Sequence, residues 1–279
     1  MSKIINRPAN ILMQILDCDM TRFDENFLNI ILVNRVKELH FQNESDYFNL
    51  LIHDEQEKII FCNLLNINYS VFFRNTFTFT ILEHFVIPKI LQQKSSKKKS
   101  HIRIWSCACA SGQEPYSLAM MLENSIHFKN GTLSYQIFAT DIDKNQIELA
   151  QKGIYSDQAI QNIPFRDIQK WFVKEGDQYK IQDKLKQHIT FSQFDLLESQ
   201  ITSPPDSIFG GFDVIMCANV LFYFNESTRN QLFTKLKSAS DKNCFFITGE
   251  VERDYFLKLN FIEVFPHSSI FQMPKYLKL

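Results

Sequence analysis

Glu114 closes an unusual run of residues. Trp105-Ser-Cys-Ala-Cys-Ala-Ser-Gly-Gln-Glu-Pro-Tyr-Ser117 passes from a strand-like start through small side chains to Gly112, then to an acid, then to Pro115 at an expected first helical position. Small side chains let a backbone approach a ligand closely. The run is not the G-x-G-x-x-G fingerprint, and an acid at a helix entrance repels a pyrophosphate, so a dinucleotide is disfavoured. Glu114 suits a ligand that carries a cation, such as an ammonium or sulfonium group; the plainer alternative is an ordinary strand-to-helix turn. A second acid, Asp141, ends Tyr135-Gln-Ile-Phe-Ala-Thr-Asp. At a strand end it can accept both hydroxyl protons of a ribose, or it can cap a helix, although Asp143 is better placed for that. Phe194-Asp195-Leu196 would put a polar side chain beside an adenine edge. Phe212-Asp-Val-Ile-Met-Cys-Ala-Asn-Val-Leu-Phe-Tyr-Phe224 leads from a buried strand to Asn219 and to Tyr223, a phenol in an apolar run that needs a hydrogen-bond partner. Arg74, at the end of Asn68-Tyr-Ser-Val-Phe-Phe-Arg74, follows two phenylalanines. Its guanidinium fork suits a carboxylate, either a ligand's or that of a structural salt bridge.

These residues need elements to carry them. From residue 101 the pattern alternates short strands with helices: strands at 101–105, 135–140, 188–194, 212–217 and 244–249, and helices at 115–124, 144–152 and 226–239. The alternation predicts an α/β fold with a mainly parallel sheet covered on both faces, so that ligands sit beyond the carboxyl ends of the strands. The two apolar stretches around Pro266, His267 and Ser268 predict a closing hairpin, and the long connection at about 154–190 predicts an inserted subdomain. Residues 1–92 read as a helical N-terminal domain, with Phe27, Ile30, Ile31, Val33 and Val36 at helical spacing. The Lys- and Ser-rich stretch at 93–100 reads as a linker before the domain at 101–279. Its charge suits an exposed loop or, more sharply, a contact with an acidic partner.

Thirty basic against thirty-one acidic residues give a net charge of -1, which provides no global field for nucleic acid. With 27 Phe, 9 Tyr and 2 Trp the chain has ample core material. Six scattered cysteines read as reduced thiols. Cys107 and Cys109 lack the second pair that a structural zinc site needs, so no metal is expected. No export signal and no membrane-length apolar run are visible, which predicts a soluble, cytoplasmic protein without membrane insertion.

Five motifs in order resemble the CheR family of chemoreceptor glutamate O-methyltransferases. Asn68-x-Ser-x-Phe-Phe-Arg74 is similar to the family's N-x-T-x-F-F-R, and Trp105–Ser117 to its W-[SA]-A-A-C-S-T-G-E-E-P-Y-S. Thr140-Asp-Ile-Asp143 matches T-D-I-D, Phe212–Phe224 resembles F-D-x-I-F-C-R-N-V-L-I-Y-F, and Gly249-Glu-Val-Glu252 resembles G-H-S-E. The resemblance implies a class I S-adenosylmethionine-dependent methyltransferase domain, Rossmann-like, behind a small helical domain. It implies S-adenosyl-L-methionine as donor and S-adenosyl-L-homocysteine as product. The acceptor it implies is a glutamate in the cytoplasmic helical region of methyl-accepting chemoreceptors. Carried over by position, it gives Asn68, Ser70, Arg74, Glu114, Asp141, Asp195, Leu196, Ala218 and Asn219 as donor-site positions, with Arg74 and Tyr223 as the catalytic pair. Ala218 stands where the family has arginine, Asp195 where it has asparagine, and Ser70 where it has threonine. Ala218 keeps two alternatives open: a donor-binding signalling module with lost or weakened catalysis, and a methyltransferase with another acceptor. The 172–181 stretch is shorter than versions that grip a receptor's C-terminal peptide, so no such tether is expected.

Overall fold

The structure is a computed structural model that describes residues 8–16, 19–94, 100–125, 130–131, 133–207 and 210–274. The chain divides into two compact units: Met1–Ile67 with Leu221–Phe233, and Asn68–Val220 with Thr234–Leu279. The boundary is therefore at Ile67, not at the expected 93–100. Residues 95–99 of the expected linker lie outside the described residues.

The first unit is helical: α1 (Pro8–Leu16), α2 (Glu25–Glu38), α3 (Glu44–His53) and α4 (Glu55–Leu64). Asp24, Asn43 and Asp54 cap α2, α3 and α4 by accepting backbone N–H bonds that the first helical turns leave open. The buried stripe of α2 is Leu28, Leu32, Arg35 and Val36. The expected stripe is displaced by a residue or two, and Ile30 is 56% exposed. Inside the unit, the Arg35 guanidinium donates to both carboxylate oxygens of Glu57, from Nε to Oε1 at 2.8 Å and from Nη2 to Oε2 at 2.6 Å. Tyr47 Oη donates to Glu57 Oε1 at 2.8 Å.

The second unit opens with α5 (Thr76–Ile81), a π-helical turn (Leu82–Val86) and α6 (Ile87–Gln93). Composition assigned these helices to the front domain, but Phe72, Phe79, Leu82, Val86, Ile87 and Ile90 are buried in one core with Ile102, Ile104, Val214 and Phe245. Apolar side chains follow the surface that covers them, and the solvated Lys run marks no domain boundary. The rest alternates: β1 (Ser100–Cys107), α7 (Gln113–Asn124), β2 (Leu133–Asp141), α8 (Lys144–Lys152), β3 (Ile154–Ser156), α9 (Phe165–Trp171), β4 (Phe172–Glu175), β5 (Gln178–Ile181), α10 (Asp183–Lys186), β6 (Ile189–Gln193), β7 (Phe212–Met216), α11 (Glu226–Ala239), β8 (Ser240–Ile247), α12 (Arg253–Lys258), β9 (Ile262–Glu263) and β10 (Ile270–Gln272).

The main sheet has the order β6-β2-β1-β7-β8-β10-β9. Its first five strands are parallel, and β10 pairs antiparallel with both β8 and β9. The chain winds outward from β1 through β2 to β6, then resumes at β7 on the other side of β1. That reversal opens a crevice at the carboxyl ends of β1 and β7. Alternate residues of β1 feed opposite faces: Ile104 enters the core with α5 and α6, while Trp105 packs against Phe212 and Phe194 at 5.5 and 5.9 Å. Each such fully buried apolar side chain contributes ~1.5–3 kcal/mol. The expected insertion carries a separate antiparallel sheet of order β3-β5-β4.

Candidate functional site

All the donor-site positions expected from the sequence belong to the second unit. The turn after β1 explains its small residues: Ala108, Ala110 and Gly112 all have left-handed backbones, with φ of 50°, 47° and 94°. Two left-handed alanines cost about 1–2 kcal/mol each, and larger or β-branched residues would cost more. At Gly112 a side chain is excluded twice, since an added Cβ would stand 2.9 Å from Ala150 Cβ. Backbone bonds pin the turn. Cys109 N donates to Thr140 O at 2.9 Å, and Ala110 N donates to Asp141 Oδ2 at 2.8 Å.

Asp141 ends β2 and is buried. Its other oxygen, Oδ1, accepts from Asp143 N at 2.9 Å, while Asp143 itself caps α8 by accepting from Asn145 N at 2.8 Å. The two readings of Asp141 thus separate: Asp143 is the helix cap, and Asp141 is locked in one orientation by two amides. Each of its oxygens keeps a further lone pair for a hydroxyl. Burial pushes the Asp141 carboxyl up from the ordinary aspartate range.

Glu114 lies in the first turn of α7 and accepts from Ser106 Oγ at 2.7 Å. Burial pushes its carboxyl up to about 8; the Ser106 bond opposes that shift, the negative charge of Glu252 adds to it, and the Arg74 cation opposes it. Arg74 is exposed, with its guanidinium 5.7 Å from the centre of the Tyr69 ring. It is presented by an anchored segment. Phe72 is buried edge-on to Tyr155 and Phe172, and Phe73, at φ 48°, donates its N–H to Ser117 Oγ at 3.0 Å. Asn68 Nδ2 donates to Asp143 Oδ2 at 3.1 Å, which brings the start of this segment to the end of β2. Ser70 is half-buried between them in sequence.

Beyond β6, Phe194 N donates to Asp141 O at 2.8 Å, and Asp195 Oδ1 accepts from Leu197 N at 2.7 Å. Leu196 is buried. Beyond β7, Ala218 is half-buried against the sheet core, and Asn219 has a left-handed backbone at φ 63°. Tyr223 belongs to the first unit, where its ring packs on Phe27 and Phe222 at 4.9 and 4.1 Å. The expectation missed Glu252, whose buried carboxylate accepts from Asn219 N, Val220 N, Thr248 Oγ1 and Gly249 N. Gly249-Glu-Val-Glu252 marked the place in the sequence, but nothing there told which loops its last acid would hold. Cys107 and Cys109 are free and buried, and burial pushes both thiols well up, as befits packing residues.

The strand ends thus gather a half-buried carboxyl, Glu114, that can answer a cation, a fixed carboxylate, Asp141, that can answer paired hydroxyls, and a second half-buried acid, Asp195, beyond β6. This chemistry suits an adenosyl group bearing a cationic sulfur, and the doubly wound sheet that carries it is that of a class I S-adenosylmethionine-dependent methyltransferase. Comparison with known proteins agrees. The family model "CheR methyltransferase, SAM binding domain" matches residues 68–263, beginning where the second unit begins. A chemotaxis protein methyltransferase of Listeria innocua is 31% identical over 238 residues, covering 85% of each chain. One from Borreliella burgdorferi is 30% identical over 224 residues, covering 79% of this chain and 77% of its own. The Escherichia coli K12 chemotaxis protein methyltransferase is 28% identical over 236 residues, covering 82% and 77%. The chain belongs to the CheR methyltransferase family.

Proposed function

We propose that the protein forms glutamate methyl esters on the cytoplasmic helical region of chemoreceptors, with S-adenosylmethionine as donor and S-adenosylhomocysteine as product. Family membership supports the reaction class. The observation that carries the acceptor is Arg74: an exposed guanidinium on an anchored segment, within electrostatic reach of the half-buried Glu114.

S-adenosylmethionine, when bound, supplies a methyl group activated by its positive sulfur. The protein's part is placement and exclusion of water. A glutamate acceptor with a reference pKa of about 4.3 is already ionised at neutral pH, so no residue here has to remove a proton. Arg74 orients that carboxylate through its planar fork. Engaging both oxygens would quench the attacking one, so Arg74 leaves one oxygen free. Glu114 answers a cation on the donor, Asp141 holds hydroxyls, and Asn68, Ser70, Asp195, Leu196 and Asn219 complete the donor contacts. Bringing donor and acceptor into line at about 3–3.5 Å and stripping water from the carboxylate account for the acceleration.

The family's arginine is Ala218 here, so Arg74 stands without that second cation in guiding the acceptor. A donor-binding module that has lost catalysis is the competing reading that Ala218 supports. Docking is proposed to proceed without a receptor C-terminal peptide at the small sheet, whose β4 and β5 are joined by the tight Gly176-Asp177 connection. No helix among the described residues is long and apolar enough to cross a membrane. Incubating receptor-rich membranes with methyl-labelled donor, followed by mass spectrometry, tests reaction and acceptor together. Base-labile methyl on receptor glutamates is the expected result. Saturable donor binding without transferred label would establish the binding module instead.

A further inference from the structure

Glu252 is 3% exposed, and its two oxygens collect four donors from two separate loops. From the loop after β7, Asn219 N donates to Oε2 at 2.9 Å and Val220 N to Oε1 at 2.7 Å. From the loop after β8, Thr248 Oγ1 and Gly249 N both donate to Oε2, at 2.7 and 2.8 Å. The three amides form a concave nest that would otherwise attract an anion from solution. The chain fills it with its own carboxylate. Asn219 is thereby fixed in the left-handed region, which asparagine enters more readily than other side chains. Its amide lies against Gly249, where an added Cβ would come within 2.8 Å of Asn219 Oδ1. Glu252 thus sets the backbone of Asn219 from one side, while Gly249 leaves room for its side chain on the other.

We propose that Glu252 is a positioning residue of the donor site, clamping the loops after β7 and β8 so that the Asn219 side chain is held ready for the donor. The proposal rests on the reading of Asn219 as a donor contact. A glutamine at 252 has one acceptor oxygen and turns an N–H2 group toward the remaining donors, so at least one loop loses its anchor.

The test is calorimetric binding of S-adenosylhomocysteine to the full chain, with a thermal melt of each variant. Glu252→Gln should weaken binding about tenfold. Asn219→Gly keeps the backbone conformation and removes the side chain, and it should weaken binding by a similar factor. The double variant should bind no more weakly than Asn219→Gly alone, because Glu252 acts through that side chain. Multiplying effects, or unchanged affinity in Glu252→Gln, overturn the proposal. If Glu252→Gln fails to fold, Glu252→Asp replaces it, since a shorter acid keeps the charge but cannot span both loops. Failure of both to fold makes Glu252 purely structural and overturns the proposal as well. Wild-type protein that binds no S-adenosylhomocysteine would overturn the donor-site reading itself, a result distinct from all of these.

Discussion

Glu57 in the helical unit is buried and Glu114 in the sheet unit half-buried, and their carboxyls move in opposite directions. The hydrogen-bonded Arg35 guanidinium holds Glu57 below the usual carboxylate range, overcoming burial, and Tyr47 adds a further bond. Glu114 has only a hydroxyl, Ser106, within bonding distance among the described residues, and burial lifts it to about 8. Desolvation acts on both; the difference is whether the chain supplies its own cation. A carboxylate paired internally belongs to the scaffold. One left waiting for positive charge belongs to a site. The two arginines divide the same way: Arg35 is buried and bidentate on Glu57, whereas Arg74 is exposed and makes no ion pair with a carboxylate among the described residues.

The strongest way to break this contrast is at Arg74. Arg74→Ala should lower methyl transfer about 100-fold or more while changing S-adenosylhomocysteine affinity only a few-fold, because the lost interaction is with the acceptor. Asp141→Ala should do the reverse, weakening the donor about 10- to 100-fold at the binding step. Transfer assays with labelled donor and calorimetry on the same preparations separate the two. Full transfer by Arg74→Ala would remove it from the mechanism.

In the helical unit the expected effect is on folding. Glu57→Ala removes the buried partner of Arg35 and leaves it only the exposed Glu38, 2.9 Å from Nη1, so it should cost about 3 kcal/mol, read as a lowered denaturant midpoint. The pH dependence has a definite sign. Glu57 has a folded pKa below its unfolded value, so its contribution is complete above the unfolded value of about 4.3 and disappears as pH falls through the folded one. Acidification below pH 5 should therefore destabilise the wild-type unit more steeply than Glu57→Gln. Parallel curves for the two proteins would deny the ion pair its share.

What could be read in advance divides along the same line. Lys144–Lys152 and Glu226–Ala239 have the bounds their periodicity predicts, because cap residues and apolar spacing are local signals. The closing hairpin and the order of strand ends were legible for the same reason. The unit boundary was not: α5 and α6 look like more of the front domain until Phe79, Val86 and Ile90 are found in the sheet's core. The left-handed Ala108 and Ala110 were visible only as small residues. Glu252 was hidden most completely, since Asn219 and Val220, which it anchors, lie more than thirty residues upstream. Motif types named the chemistry at Glu114 and Asp141. Partner identity across the fold required the fold.

The smallest effect tests the contrast most directly, because it counts protons. With its carboxyl pushed up to about 8 by burial, Glu114 is largely protonated at pH 7 when the site is empty. A donor carrying positive charge favours the ionised form, so binding at pH 7 should release close to one proton from this group. Calorimetry in buffers of different ionisation enthalpy measures that number directly. Glu114→Gln has no proton to give, and the difference between the two proteins should be about one. The released fraction should fall as pH rises through 8, where Glu114 is already ionised before the donor arrives. Equal proton counts in wild type and Glu114→Gln would mean that Glu114 does not meet the donor's charge, and the distinction between scaffold and site carboxylates would fail at the residue on which it was drawn.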